Sequence, residues 1–207
     1  AVAVQADLLD EDATQALGGQ AEQALGGPLT VLVNNASIFE FDTVESATRE
    51  SWDRHLESNL RAPFVLTQHR AAHAPDPAED ERGEPVAQAL VINMLDQRVR
   101  KLTPGYMSYT IAKMGLWAFT QTAAQALAPR VRVNAIGPGP TLQGAKQRAD
   151  HYAIQRRSTV LERGSNLEDI TGALGYFLDA RAVTGQLLCV DGGQHLGWNT
   201  PDIVDTP

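Results

Sequence analysis

Tyr109 and Lys113 stand four residues apart in "YTIAK", a spacing that puts two side chains on one face of a helix. A free phenol has a pKa near about 10 and carries protons poorly at neutral pH. A neighbouring ammonium stabilises the phenolate and is expected to lower that pKa, so the pair could pass a proton to or from a substrate. Taken alone, such a pair is more often surface decoration than chemistry. Asp96 precedes Tyr109 by thirteen residues and closes the apolar run "ALVINML". An ionised carboxylate only accepts hydrogen bonds, whereas a hydroxyl also donates. Asp96 is thus badly suited to polarising a ketone unless it is protonated, and well suited to the ring N–H groups of a nitrogenous substrate. The plain alternative is that Asp96 caps a turn and another group serves as donor.

These residues need elements to position them. The runs "AVAVQAD" (1–7), "LTVLVNNAS" (29–37), "ALVINML" (89–95), "RVRVNAIG" (130–137) and "GQLLCVDGG" (185–193) read as strands. Between them, residues 10–25, 47–73, 106–128 and 166–179 have helical character. Trp52, Leu56, Leu60 and Phe64 fall on one side of the second helix, and Pro63 should break or kink it. Asn166 is a plausible cap for the last helix. Residues 74–87, rich in Pro, Asp and Glu, read as an exposed loop, and the tail from 194 as extended chain. Alternating strands and helices imply an α/β protein with a doubly wound parallel sheet. Such sheets bind ligands at the carboxyl ends of their strands. Those ends carry Asp7, "NNASIF" (34–39), Asp96 and "GPGPT" (137–141).

A chain of 207 residues suffices for one domain, taken as 1–207. The net charge of −8 argues against nucleic acid as a main partner. No apolar run approaches the roughly 20 residues that span a bilayer, and the start lacks the flank of a signal peptide. The single cysteine, Cys189, reads as a buried thiol. The five histidines show no metal-ligand spacing with one another or with Cys189, so no metal site is expected. A cytoplasmic enzyme or binding domain acting on a small molecule fits best.

The pieces "LVNNAS", Asn59 in "ESNLRAPF", "YTIAK", "RVNAIGPG" and "TGQLLCVDGG" together resemble the short-chain dehydrogenase/reductase family, in the family's order and over nearly the whole chain. The resemblance implies a Rossmann-type fold that moves hydride between a nicotinamide dinucleotide and a substrate. Most members have a serine near the position of Asp96. The branch with Asp, Tyr and Lys at this spacing is similar to pteridine reductase, which implies NADPH, with NADP favoured over NAD, and a dihydropteridine-type substrate. In that reading Tyr109 delivers a proton, resupplied through Asp96. Lys113 holds the nicotinamide ribose, and Asn59 supports a relay water and the lysine. Phe39 matches a residue stacking on the pterin ring, unless it is simply a loop anchor, and Ser37 matches one that touches cofactor and substrate. Asp7 and Leu8 match a pair beside the adenine. Asn35 and Ala36 match backbone contacts on the adenosine side, and Pro138, Gly139 and Thr141 match the turn at the nicotinamide and pyrophosphate. The resemblance also implies a homo-oligomer, dimer or tetramer, with Leu116, Trp117, Phe119 and Thr120 on the shared face unless they are core. Residues 142–165 should cover the substrate.

Family members begin with a strand and a Gly-rich phosphate-binding turn, and no such setting occurs in this chain. The alignment makes residues 1–7 the family's third strand. The expectation is that on the order of 50 residues of the family's domain lie upstream of Ala1, and that the sheet is left with a gap. A reductase of another carbonyl or imine, and a non-catalytic remnant of the fold, stay open beside the pteridine reading.

Overall fold

A computed structural model of the chain describes residues 1–144 and 147–198. The helices are α1 (Glu11–Leu25), α2 (Arg49–Leu56), α3 (Ala62–Ala72), α4 (Met107–Leu127), α5 (Ala149–Arg157) and α6 (Leu167–Asp179). The strands are β1 (Val31–Asn34), β2 (Ala78–Glu79), β3 (Pro85–Val86), β4 (Ala89–Met94), β5 (Val131–Pro138) and β6 (Leu187–Val190). The main sheet has the order β1-β4-β5-β6 with every pair parallel. Register sets Val91 between Leu32 and Val133. This is the Rossmann-type arrangement expected.

Both faces of β4 and β5 are buried, which explains why they read as unbroken apolar runs rather than alternating ones. On one face Val91 and Val133 pack with Ala123 and Ala124 of α4, while Leu95 and Ala135 pack with Leu116. On the other, Ile92 and Ile136 meet Ala173 and Phe177 of α6. Arg132 is a charge inside β5, yet its guanidinium donates to the carbonyls of Phe177 (2.8 Å) and Ala180 (3.0 Å). It thereby satisfies acceptors that the C-terminus of α6 leaves open.

Four expectations need correction, and one open alternative is decided. Residues 1–7 form no strand, because no strand among the described residues lies beside them to share their ladder hydrogen bonds. Residues 47–73 are not one helix bent at Pro63. A π-helical turn, Glu57–Arg61, separates α2 from α3 and ends before the proline, which sits in the first turn of α3. There its missing N–H costs nothing. The acidic loop contains the small antiparallel pair β2–β3. Leu116 and Thr120 are core residues rather than part of an outer face. The tail expected from 194 begins with a 3-10 turn at Gln194–Leu196, and residues 199–207 lie outside the described residues.

Candidate active site

Strand β4 runs into Leu95 and Asp96, and α4 begins at Met107, so Asp96 and Tyr109 come from the two sides of one β–α connection. The Tyr109 hydroxyl donates to Asp96 Oδ2 at 3.0 Å. Asp96 Oδ1 accepts the Arg98 N–H at 2.7 Å, capping the turn Gln97–Val99. The carboxylate therefore serves both as turn cap and as the partner of Tyr109. Lys113 lies one helical turn further on, and its Nζ donates to the Met94 carbonyl at 2.8 Å. The same Nζ is 5.7 Å from the centre of the Tyr109 ring.

Burial decides the electrostatics. Burial pushes the Tyr109 phenol well above its ordinary pKa, and the charge and hydrogen bond of Asp96 push the same way, against weaker help from Arg98 and Ser37. The expected lowering by Lys113 is not what the structure shows. A phenol that donates to a carboxylate is held in its neutral form, because a phenolate there would face a like charge. Burial brings the Lys113 ammonium down to about 8, opposed by the charge of Asp96. Tyr109 is thus a neutral proton donor, and Lys113 is a buried cation with only one of its three N–H groups used among the described residues.

Asn59 is fully buried in the π turn and differs from expectation. Its Oδ1 accepts the Ile38 N–H and its Nδ2 donates to the Ile38 carbonyl, both at 2.8 Å. The carboxamide clamps the loop after β1 and makes no hydrogen bond to Lys113, so Asn59 is a positioning residue. The clamp leaves Asn35, Ala36 and Ser37 exposed beside the site.

Phe39 stacks flat on Tyr106, with centroids 4.2 Å apart and planes within 4°. It meets Tyr109 edge-on at 4.7 Å, and Arg98 covers the Tyr106 ring at 5.0 Å. One face of Phe39 is therefore already taken. Tyr106 adopts a left-handed backbone (φ 59) at the cap of α4, a rare state for a bulky residue. Neither Tyr106 nor Arg98 stood out in the sequence.

The third strand end is equally tight. A Cβ on Gly139 would lie 2.6 Å from Asp191 Cα, so only glycine fits. Thr141 Oγ1 shares a hydrogen bond with Ser165 Oγ at 2.5 Å. Arg156 of α5 donates to the carbonyls of Pro140 (2.8 Å) and Ser165 (2.7 Å), and Tyr152 donates to Thr141 O (2.7 Å). Arg156 thus fixes the segment over the "GPGPT" turn, where Pro138 ends β5. Asp7 lies at the opposite flank, exposed, with Oδ1 accepting the Leu9 N–H in the turn before α1. Leu8 packs toward Arg61 and Val65. The structure brings Asp96, Tyr109, Lys113, Ser37 and Phe39 together, and sets Asp7 and Leu8 on the α1 side.

Beside the site runs a buried polar chain missed in the sequence. Glu40 N–H donates to His55 Nε2 at 3.1 Å, which assigns the ring proton to Nδ1 in the neutral tautomer. That nitrogen meets Ser108 Oγ at 2.7 Å, and Ser108 Oγ donates to Asp42 Oδ2. Burial disfavours ionised Asp42, but hydrogen bonds from Ser108 and Ser51 outweigh it and hold the carboxyl below its ordinary range. The serine proton points to the carboxylate and Ser108 is fully buried. This is a brace beneath Tyr109 and not a nucleophile.

Comparison with known proteins agrees with this fold. Residues 1–195 match the family profile described as Enoyl-(Acyl carrier protein) reductase. The chain is 30% identical to the probable galactose dehydrogenase GalD of Rhizobium meliloti, covering 92% of this chain and 73% of that one. It is 29% identical to pteridine reductase 1 of Leishmania tarentolae, over 82% and 64% of the two. The crystal structure of FolM alternative dihydrofolate reductase 1 from Brucella suis, in complex with NADP, superposes with a TM-score of 0.88 at 43% identity, covering 97% of this chain and 76% of that one. With its parallel sheet and its buried Tyr109–Lys113 pair, the chain belongs to the short-chain dehydrogenase/reductase family of NAD(P)-dependent oxidoreductases.

Proposed function

We propose that this protein is an NADPH-dependent reductase of a dihydropteridine-type substrate. The observation that carries the reading is the Tyr109–Asp96 hydrogen bond, in place of the hydroxyl donor a ketone reductase needs. The likeness to an NADP-bound alternative dihydrofolate reductase and to a pteridine reductase supports it. The residues fit the cofactor. Among the described residues Lys113 leaves two N–H donors free for ribose hydroxyls, Asn35–Ser37 are exposed at the end of β1, and Gly139 lets backbone approach closely.

Bound NADPH supplies the hydride. Asp96 has a free lone pair on each oxygen and accepts ring N–H groups of the substrate, orienting the ring. When a C=N bond is reduced, its nitrogen gains an electron pair and becomes a stronger base than a phenolate. Tyr109 can then give up its proton despite its raised pKa: the O–H bond breaks and an N–H bond forms. Lys113 stabilises the phenolate at that moment, and a proton returns to Tyr109 through Asp96. Phe39 and Tyr106 wall the ring in, with Phe39 taking the substrate in exchange for, or beside, its present stack. We infer a cytoplasmic homo-oligomer. The exposed Phe64, which touches Phe119 at 5.0 Å, supports a shared face on that side.

The test is steady-state turnover of the native enzyme with NADPH and dihydrobiopterin or dihydrofolate, against a panel of simple ketones and sugars. The reading expects pteridine turnover to dominate. Preference for a ketone or sugar would replace it with a carbonyl reductase of the same fold.

A further inference from the structure

Away from the active site, α1 and α3 pack together through a group the reaction does not use. His69 sits in the last turn of α3 and His73 caps it four residues on, so, against the expectation of no metal-ligand spacing, the two share a face. Glu22 of α1 points at them. One ligand atom from each of the three residues lies within 4.8 Å of the other two. Glu22 Oε2 and His69 Nε2 are 3.4 Å apart, and donors on a tetrahedral zinc, at about 2.0–2.1 Å from the metal, stand about 3.3–3.4 Å from one another.

Three further features suit a metal. His73 Nδ1 lies 2.8 Å from the His69 carbonyl. A carbonyl can only accept, so Nδ1 carries the proton and Nε2 keeps its lone pair, the arrangement metal-bound imidazoles adopt. His69 Nε2 is buried and has no hydrogen-bond partner among the described residues. Gly18, inside α1, makes room for that ring: a Cβ there would lie 2.2 Å from His69 Cδ2 and 2.7 Å from Nε2. A glycine in a helix interior is less favourable than alanine, and the close fit of the His69 ring explains its presence. Arg70, almost fully buried, places Nη1 3.7 Å from Glu22 Oε1. The two form an ion pair without a hydrogen bond, with Glu22 Oε1 on the arginine side and Oε2 toward the histidines. Its positive charge also limits how tightly a cation binds.

We propose that Glu22, His69 and His73 form a site for a divalent transition metal of the zinc class, with water completing the shell, which ties α1 to α3. Two imidazoles and one carboxylate suit Zn²⁺ or Co²⁺ rather than Mg²⁺ or Ca²⁺. His73 is exposed and closes onto the ion from solvent.

The test is titration of the full chain with Co²⁺, followed by its visible absorption, and with Zn²⁺, followed by calorimetry and by the thermal midpoint. The expected result is one equivalent bound, an intense tetrahedral cobalt spectrum, and a rise in midpoint with Zn²⁺. Mg²⁺ should give neither. His73→Ala, at an exposed position that the fold does not need, should weaken binding at least about tenfold, the lower end of what even an outer partner costs. Glu22→Gln should do the same, while His151→Ala on α5 should change nothing. Absence of a cobalt spectrum, or binding that survives His73→Ala and Glu22→Gln unchanged, would overturn the proposal.

Discussion

Two polar groups sit side by side at the start of α4 and behave in opposite ways. Asp42, Ser108 and His55 are buried and fully engaged, each donor matched to an acceptor. Tyr109 and Lys113 are nearly as buried and Asp96 is half-buried, but the group is under-engaged among the described residues: the lysine has spare donors and the carboxylate spare lone pairs. A saturated network fixes geometry and has nothing left to react with. An unsaturated one stores cost in the folded state and spends it on a ligand. Adjacent residues on one helix, Ser108 and Tyr109, thus divide structure from chemistry.

The largest effect expected is on chemistry. Tyr109→Phe keeps the ring contacts and removes the proton, so kcat for the pteridine should fall by about 10²–10⁴-fold. Its fold should persist by circular dichroism. If turnover survived, the proton would come from elsewhere.

Lys113 sharpens the contrast through stability. Its folded pKa is about 8 against an ordinary 10.5. Between these values the unfolded chain binds more protons, so stability contributed at this site rises with pH across that window and the full penalty applies below pH 8. The shift corresponds to roughly 3 kcal/mol at most. Lys113→Met should therefore be inactive yet more stable than the wild type at pH 7. Its advantage should shrink as pH climbs from 8 toward 10. Denaturant melts of both proteins at several pH values check this, and an advantage independent of pH would contradict the burial argument.

The saturated side should respond in the opposite sense. Ser108→Ala leaves Asp42 and His55 without their shared partner and should cost about 1–3 kcal/mol of stability. Any activity loss should follow from Tyr109 being less well placed. The smallest change is at Phe39: Phe39→Leu removes a stacking contact worth about 0.5–1.5 kcal/mol. It should raise KM for the pteridine more than it lowers kcat.

What was legible in the sequence follows the same division. Tyr109 and Lys113 are four residues apart, and a helical period reveals them directly. Asp96 was visible because it ends an apolar run. Strands β4 and β5 were visible because burial on both faces demands continuous apolar residues. By contrast Asp42 and Ser108 are 66 residues apart, and Asn34, Asn93 and Thr120 hydrogen-bond in a buried row across β1, β4 and α4. No local period marks such contacts, since each polar residue looks like a surface one until the fold is known. The pairing of Glu22 with His69 was hidden for the same reason. Residues 1–7 failed in the other direction. Their apolar pattern suits a strand, but a strand needs a neighbour, and pattern alone does not supply one.

The central claim is that Asp96 serves a nitrogen ring. The most direct measurement is kcat/KM for dihydrobiopterin in the wild type and in Asp96→Asn, which keeps the shape and removes the carboxylate. The account predicts a fall of about 10²-fold or more, with the Tyr109 pKa moving down as its anionic partner is lost. Pteridine turnover left intact by Asp96→Asn would contradict it.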